Sequence, residues 1–96
     1  MSERRSYPLQ LIINGRHIEE VVIDPHYEAK HPEINDSLIL TLAGMLNGRE
    51  FKPEERDEDW EFFMLDRMEH DGKLYRLVWC MRDSFLFIGI INCFRR

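Results

Sequence analysis

The chain has 96 residues, of which 44% are hydrophobic and 32% charged, which suits one packed domain and excludes two. Six Phe, three Tyr and two Trp exclude a disordered chain, because a chain that buries nothing has few aromatic residues. The net charge of −5 argues against a strongly basic nucleic-acid-binding protein.

Location and covalent chemistry follow from the same composition. No apolar run approaches the ~20 residues of a membrane span, and the N-terminus leads into no long apolar stretch. We therefore expect a cytoplasmic protein with no membrane contact. Cys80 and Cys93 are too few for a disulfide scaffold or a zinc site, so we predict no metal and no cofactor.

The first half of the chain predicts a β-hairpin and one helix. Two β-rich runs, Leu9–Asn14 and His17–Asp24, meet at Asn14-Gly15, a dipeptide that suits a type I′ turn. Capping side chains at residues 35–37 precede the apolar segment Leu38–Leu46, which we predict to be helical. Because this helix is apolar on most sides, we expect it to be covered on more than one side.

The second half predicts an antiparallel meander of three strands. These strands are Trp60–Glu69, Leu74–Met81 and Phe85–Phe94, and an acidic connector over residues 50–61 precedes them as an exposed loop. The predicted fold is α+β, with an N-terminal β-hairpin, one main apolar helix and a C-terminal meander in the order β-β-α-β-β-β. We predict a flexible tail over residues 1–6 and a single domain over residues 7–96.

The predicted meander brings two arginines together. A tight turn at Asp71-Gly72 places Arg67 opposite Arg76, where two guanidinium groups repel unless a carboxylate neutralises them or the site holds an anion. Both alternatives remain open. Alternation along the strands assigns these residues to a core face beneath the helix: Trp60, Phe62, Met64, Tyr75, Leu77, Trp79, Met81, Phe85, Phe87 and Ile91.

Two further side chains are candidates for chemistry. His31 follows Lys30 and leads into the helix cap, and a loop imidazole near neutral pKa can act as a general acid or base. The alternative is an exposed histidine without a role. A turn centred on Asp83 places Asn92 opposite Leu74, close to the arginine pair.

Several of these features together resemble the small nucleases of the barnase, EndoU, colicin and RelE grouping, which includes toxins of toxin–antitoxin pairs. The resemblance is carried by the loop Ala29–Glu33, the apolar helix and the final segment Ile90–Arg95, and it extends over residues 9–96. It implies metal-independent cleavage of RNA and an antitoxin-like protein as partner.

The resemblance also implies roles for individual residues. A 2′-hydroxyl needs a base, and the charge that develops on a phosphate needs positioned donors. The implied catalytic residues are His31, Arg67 and Arg76. The implied substrate-binding residues are Lys30, Asn92 and Lys73.

A second hypothesis is a non-catalytic protein–protein interaction module. A helix that is apolar nearly all round and a sheet that is apolar on both faces need cover, which a second copy or an obligate partner provides. This hypothesis predicts a homo-oligomer or a partner-bound protein. In a third hypothesis, the arginine pair binds a small anion without catalysis.

Overall fold

The computed structural model describes residues 4–24 and 33–96, which form one six-stranded sheet and one helix. The protein is therefore α+β, as predicted. The elements are β1 Arg5–Ile13, β2 Arg16–Ile23, α1 Asp36–Gly44, β3 Glu55–Asp57, β4 Trp60–His70, β5 Lys73–Arg82 and β6 Phe87–Arg95. Within this described part of the chain, no helix has the length and apolar character needed to span a membrane.

The strands are arranged in the order β1-β2-β6-β5-β4-β3. The hairpin β1–β2 and the meander β3 to β6 are antiparallel, and the two parts join where β2 pairs in parallel with β6. Both ends of the chain's sheet-forming part differ from the sequence prediction, as does the helix, which spans Asp36–Gly44 and not Leu38–Leu46. The acidic connector contributes the short edge strand β3, and β1 begins at Arg5, so Arg5 and Ser6 belong to the sheet and not to a tail.

Both predicted tight turns are confirmed. Asn14 and Gly15 have φ values of 55° and 73°, and Asp71 and Gly72 have φ values of 54° and 77°. Two successive positive φ values are what a type I′ turn requires, and its twist matches the twist of the strands that it connects.

Helix α1 is held at its N-terminus by side chains from two elements. Asn35, the first of the three predicted capping residues, is the N-cap, and its side-chain oxygen accepts the N–H of Leu38 at 2.8 Å. Asp36 accepts hydrogen bonds of 2.5 Å from both Arg5 and Tyr7, which attach the helix to β1. The hydrogen bond to the Asp36 carboxylate raises the pKa of Tyr7.

The hydrophobic core lies between α1 and one face of the sheet, which we call the covered face. Phe63 and Trp79 stack there with ring centroids 5.4 Å apart, and Phe51 packs edge-on against Trp79 at 5.1 Å. The buried strand residues of this face are Leu11, Ile13, Ile18, Val21, Ile23, Phe63, Met68, Tyr75, Leu77, Trp79, Met81, Ile88, Ile90 and Cys93.

The predicted core face is confirmed for β5 and wrong for β4. Tyr75, Leu77, Trp79 and Met81 are buried on the covered face as predicted. In β4 the buried aromatic residue is Phe63, whereas Trp60, Phe62 and Met64 pair with residues of the opposite face. The cause is a bulge between Leu65 and Met68. Counted back from the Asp71-Gly72 turn, its one extra residue places every side chain that precedes the bulge in β4 on the face opposite to the predicted one.

The prediction for β6 is also wrong, for two local reasons. Phe85 lies in the loop and is 38% exposed, and the strand begins at Phe87. The pairing of Cys80 with Gly89 shows that the β5–β6 connection is longer than a tight turn at Asp83, and an irregularity at Ile91 adds one further residue. Asn92 therefore lies opposite Val78 and not opposite Leu74. Phe87 and Ile91 consequently lie on the face away from the helix, together with Gly89.

Candidate functional site

The face of the sheet away from α1, which we call the open face, is also apolar. Its central side chains come from strands β2, β4, β5 and β6. The one helix that the structure describes lies on the other side, and Ile91 of the open face is 39% exposed. These apolar residues of the open face are Val22, Trp60, Phe62, Met64, Val78, Cys80, Phe87 and Ile91.

A hollow of about 370 Å³ lies in the middle of the open face. Its floor is Gly89, which pairs with Cys80 on one side and with Val22 on the other. A Cβ atom placed on Gly89 would lie only 3.0 Å from the Sγ atom of Cys80, closer than side chains normally approach. Glycine at position 89 therefore makes room for the Cys80 side chain, which lies against the backbone of β6 at the floor of the hollow.

One end of the hollow is aromatic. Trp60 and Phe87 line it with ring centroids 6.1 Å apart, and Phe85 packs edge-on against Trp60 at 5.8 Å. The guanidinium of Arg82 lies 4.8 Å from the ring centre of Phe85 and 5.8 Å from that of Trp60. These contacts fix the aromatic wall before any ligand binds.

The other end of the hollow carries charge. Arg4 and Asp24 line it, on the side of Gly89 where Ile91 lies. Burial raises the pKa of the Cys80 thiol, and a backbone hydrogen bond at Gly89 and the positive charge of Arg4 oppose this effect. The hollow is thus amphipathic along its length, with aromatic rings at one end and the guanidinium of Arg4 and the carboxylate of Asp24 at the other.

The predicted arginine pair lies at the bulge of β4. Arg67 has φ 56° and donates its backbone N–H to Asp66 at 2.8 Å. Arg76 donates to the same carboxylate at 2.9 Å and stacks over Phe94 at 5.4 Å, while Arg96 approaches Asp66 at 3.0 Å. The hydrogen bond from Arg76 lowers the pKa of Asp66 and raises that of Arg76. A carboxylate therefore pairs with Arg76, as one sequence alternative predicted, whereas the described ion pairs include none for the Arg67 side chain.

The side chain of Arg67 has different neighbours. It lines a second hollow of about 240 Å³ with Met45 and Arg49, beside the end of α1. Arg76 does not line that hollow and is held by Asp66. No described contact joins the two arginines to a common anion site.

The remaining predicted site residues are dispersed or lie outside the described residues. The side-chain oxygen of Asn92 accepts the N–H of Cys93 at 2.9 Å. Lys73 is exposed at the tip of the β4–β5 hairpin, opposite His70. Lys30 and His31 lie outside the described residues. In residues 4–24 and 33–96, no group of His, Cys, Asp or Glu could hold a metal ion, and both cysteines are free thiols.

Comparison with protein-family models, with curated proteins and with solved structures gave no match. The function of the protein is therefore inferred from the geometry of its own hollow and side chains. Sequence reasoning missed the hollow, although Gly89 in the interior of an apolar strand is the kind of signal that marks a close backbone approach.

Proposed function

We propose that the protein is a non-catalytic binding module that holds an apolar molecule on the open face of its sheet. The observation that carries this proposal is the hollow of about 370 Å³ over Gly89, with apolar walls from four strands. Ligand pockets in proteins commonly measure about 300–1,000 Å³ and are mostly apolar with a few polar groups. The hollow has this size and this composition.

The open face is poorly equipped for covalent chemistry. Cys80 is the only cysteine that lines the hollow, and burial raises the pKa of its thiol. At neutral pH this thiol is protonated, whereas the nucleophile in cysteine chemistry is the thiolate. The arrangement therefore favours binding over catalysis.

A matched pair of isoleucines tests the proposal. Ile91 lines the hollow and is 39% exposed, whereas Ile12 in β1 is 52% exposed and lies outside it. A fluorescence titration with the neutral dye Nile red compares the parent protein with Ile91→Glu and Ile12→Glu. We expect Ile91→Glu to bind at least about tenfold more weakly, since it places a charge in an apolar site, and Ile12→Glu to bind normally. Equal binding by all three proteins contradicts the proposal.

A second candidate is a metal-independent RNA-cleaving protein of the toxin type, with His31 as general acid or base and RNA as substrate. Its support is the charge at the β4 bulge, where Arg76 and Arg96 share the single carboxylate of Asp66. The excess positive charge, to which the nearby Arg67 adds, would attract a phosphate. An antitoxin-like partner belongs to the same proposal.

Digestion of RNA in the presence of a chelator tests this second candidate. We expect the parent protein to cleave and His31→Ala to lose about 100-fold or more of the rate, the usual contribution of a general acid or base. His17→Ala is the matched control, because the His17 ring contacts only Gln10, at 2.8 Å, among the hydrogen-bond partners described. Absence of cleavage by the parent protein removes this candidate.

A further inference from the structure

We infer that the molecule held on the open face is a small aromatic acid, with its ring system over Gly89 and its carboxylate at Arg4. This inference rests on the proposed function and names the class of ligand. Three features of the hollow support the aromatic acid: its size, its aromatic end and its charged end.

The size of the hollow favours a small molecule over a second protein. Its floor extends from Phe87 to Ile91 along β6 and across four neighbouring strands. With about 3.3 Å per residue and about 4.8 Å between strands, the floor covers roughly 200 Å². A stable protein interface needs about 800 Å² from each partner. The floor of the hollow is thus about a quarter of the surface that each partner of a stable dimer contributes, and its area suits a small molecule.

The aromatic end favours a flat ring as the apolar part of the ligand. Trp60 and Phe87 are tilted by 56° to each other, so their faces and edges border the hollow at different angles. Rings prefer offset-stacked or edge-to-face contacts, which a planar ligand can make with both walls. Gly89 has no side chain of its own, so the ligand can lie on β6 and on the neighbouring Cys80 at the floor of the hollow.

The charged end favours an acid. Arg4 is exposed at the rim of the hollow, and within residues 4–24 and 33–96 no carboxylate forms an ion pair with it. By contrast, Arg5 is paired with Asp36. Asp24 lines the same end but is engaged in an interaction of its own. A guanidinium binds a carboxylate through two parallel hydrogen bonds, so Arg4 suits the acidic group of the ligand.

Calorimetric titration with naphthoate and with its uncharged amide tests the inference. The two probes have the same ring system and differ in charge. We expect naphthoate to bind the parent protein about tenfold more tightly than the amide, the effect of one charge-assisted hydrogen bond. Arg4→Gln should abolish this preference. Arg95→Gln, which removes an exposed arginine that does not line the hollow, should retain it.

The outcomes separate this inference from the proposed function. Equal binding of both probes, a preference that survives Arg4→Gln, or no binding of either probe overturns the aromatic acid. The Nile red titration then decides separately whether the open face binds apolar molecules at all. Light scattering of the parent protein and of Ile91→Glu tests for a second copy in the hollow. A dimer of the parent protein that becomes a monomer in the variant would also overturn the inference.

Discussion

The two faces of the sheet are both apolar, yet they differ in what covers them. On the covered face, Trp79 and Phe63 are 0% and 1% exposed beneath α1 and its flanking loop. On the open face, Ile91 is 39% exposed and a hollow lies over Gly89. Apolar content alone therefore does not identify a core. We assign stability to the covered face and binding to the open face.

Two neighbouring isoleucines on β6 should show the largest difference in stability between the two faces. Ile90 is 3% exposed on the covered face and Ile91 is 39% exposed on the open face. We expect Ile90→Ala to lower the free energy of unfolding by about 2–5 kcal/mol, because it leaves a cavity in the core. Ile91→Ala should change it by less than about 1 kcal/mol. Urea denaturation measures both, and equal losses would contradict the distinction between the two faces.

Cys93 on the covered face should make the free energy of unfolding depend on pH in alkaline solution. Burial, assisted by the charge of Glu33, raises its pKa from 9.0 to about 12. The unfolded chain therefore releases this proton first, so the contribution of Cys93 to stability is complete below pH 9.0 and is lost on the way to about pH 12. The expected loss is about 1.4 kcal/mol per pH unit.

Comparison with Cys93→Ala isolates this effect from the other groups that titrate in the same range. Urea denaturation at several pH values above 9.0 should show the stability difference between the parent protein and the variant shrinking as the pH rises. If the two stability curves stay parallel, the thiol ionises equally easily in the folded and unfolded protein.

Substitutions of two aspartates should produce the smallest of the three changes in stability. Asp36 is 16% exposed and accepts hydrogen bonds from Arg5 and Tyr7, which fasten α1 over the covered face. Asp59 is 73% exposed and pairs only with Arg82 among the ion pairs described. We expect Asp36→Asn to destabilise the protein by about 1.5–3 kcal/mol. Asp59→Asn should have an effect below about 1 kcal/mol. Thermal unfolding of both variants measures the difference, and similar shifts would refute the role of Asp36.

The turns and the helix cap could be predicted because they depend on residues that are adjacent in the sequence. Asn14-Gly15 and Asp71-Gly72 tolerate the positive φ values of a type I′ turn, and Asn35 offers a capping oxygen. Each of these signals acts locally. The turns and the cap could therefore be predicted without knowing which residues pair between the strands.

The faces of β4 and β6 could not be predicted, because nearly every residue of these strands near the hollow is apolar. The segment Trp60–Leu65 contains one charged residue, so alternation does not distinguish its two sides. The bulge at Asp66 and Arg67 depends on a positive φ at Arg67 and on the contact of Arg76 with Asp66, which is visible only in the folded sheet.

Strand β3 and the hollow had even weaker signals in the sequence. Residues 55–57 are all charged and exposed, and they become a strand only because β4 offers them an edge to pair with. Gly89 was a visible signal, but its importance depends on the residues beside it. Cys80 and Val22 became its neighbours through the pairing of β6 with β5 and β2.

The two thiols provide the most direct test of binding on the open face. Cys80 lines the hollow at 9% exposed, whereas Cys93 is fully buried in the core. Mass spectrometry can follow the alkylation of both by iodoacetamide in the native protein at pH 9.0, where the raised pKa of Cys80 still leaves a small fraction of reactive thiolate. The reaction is run with and without the naphthalene amide at about ten times its dissociation constant. We predict that the amide slows modification of Cys80 by about tenfold, by mass action, and that Cys93 stays unmodified. An unchanged rate at Cys80 would contradict the account.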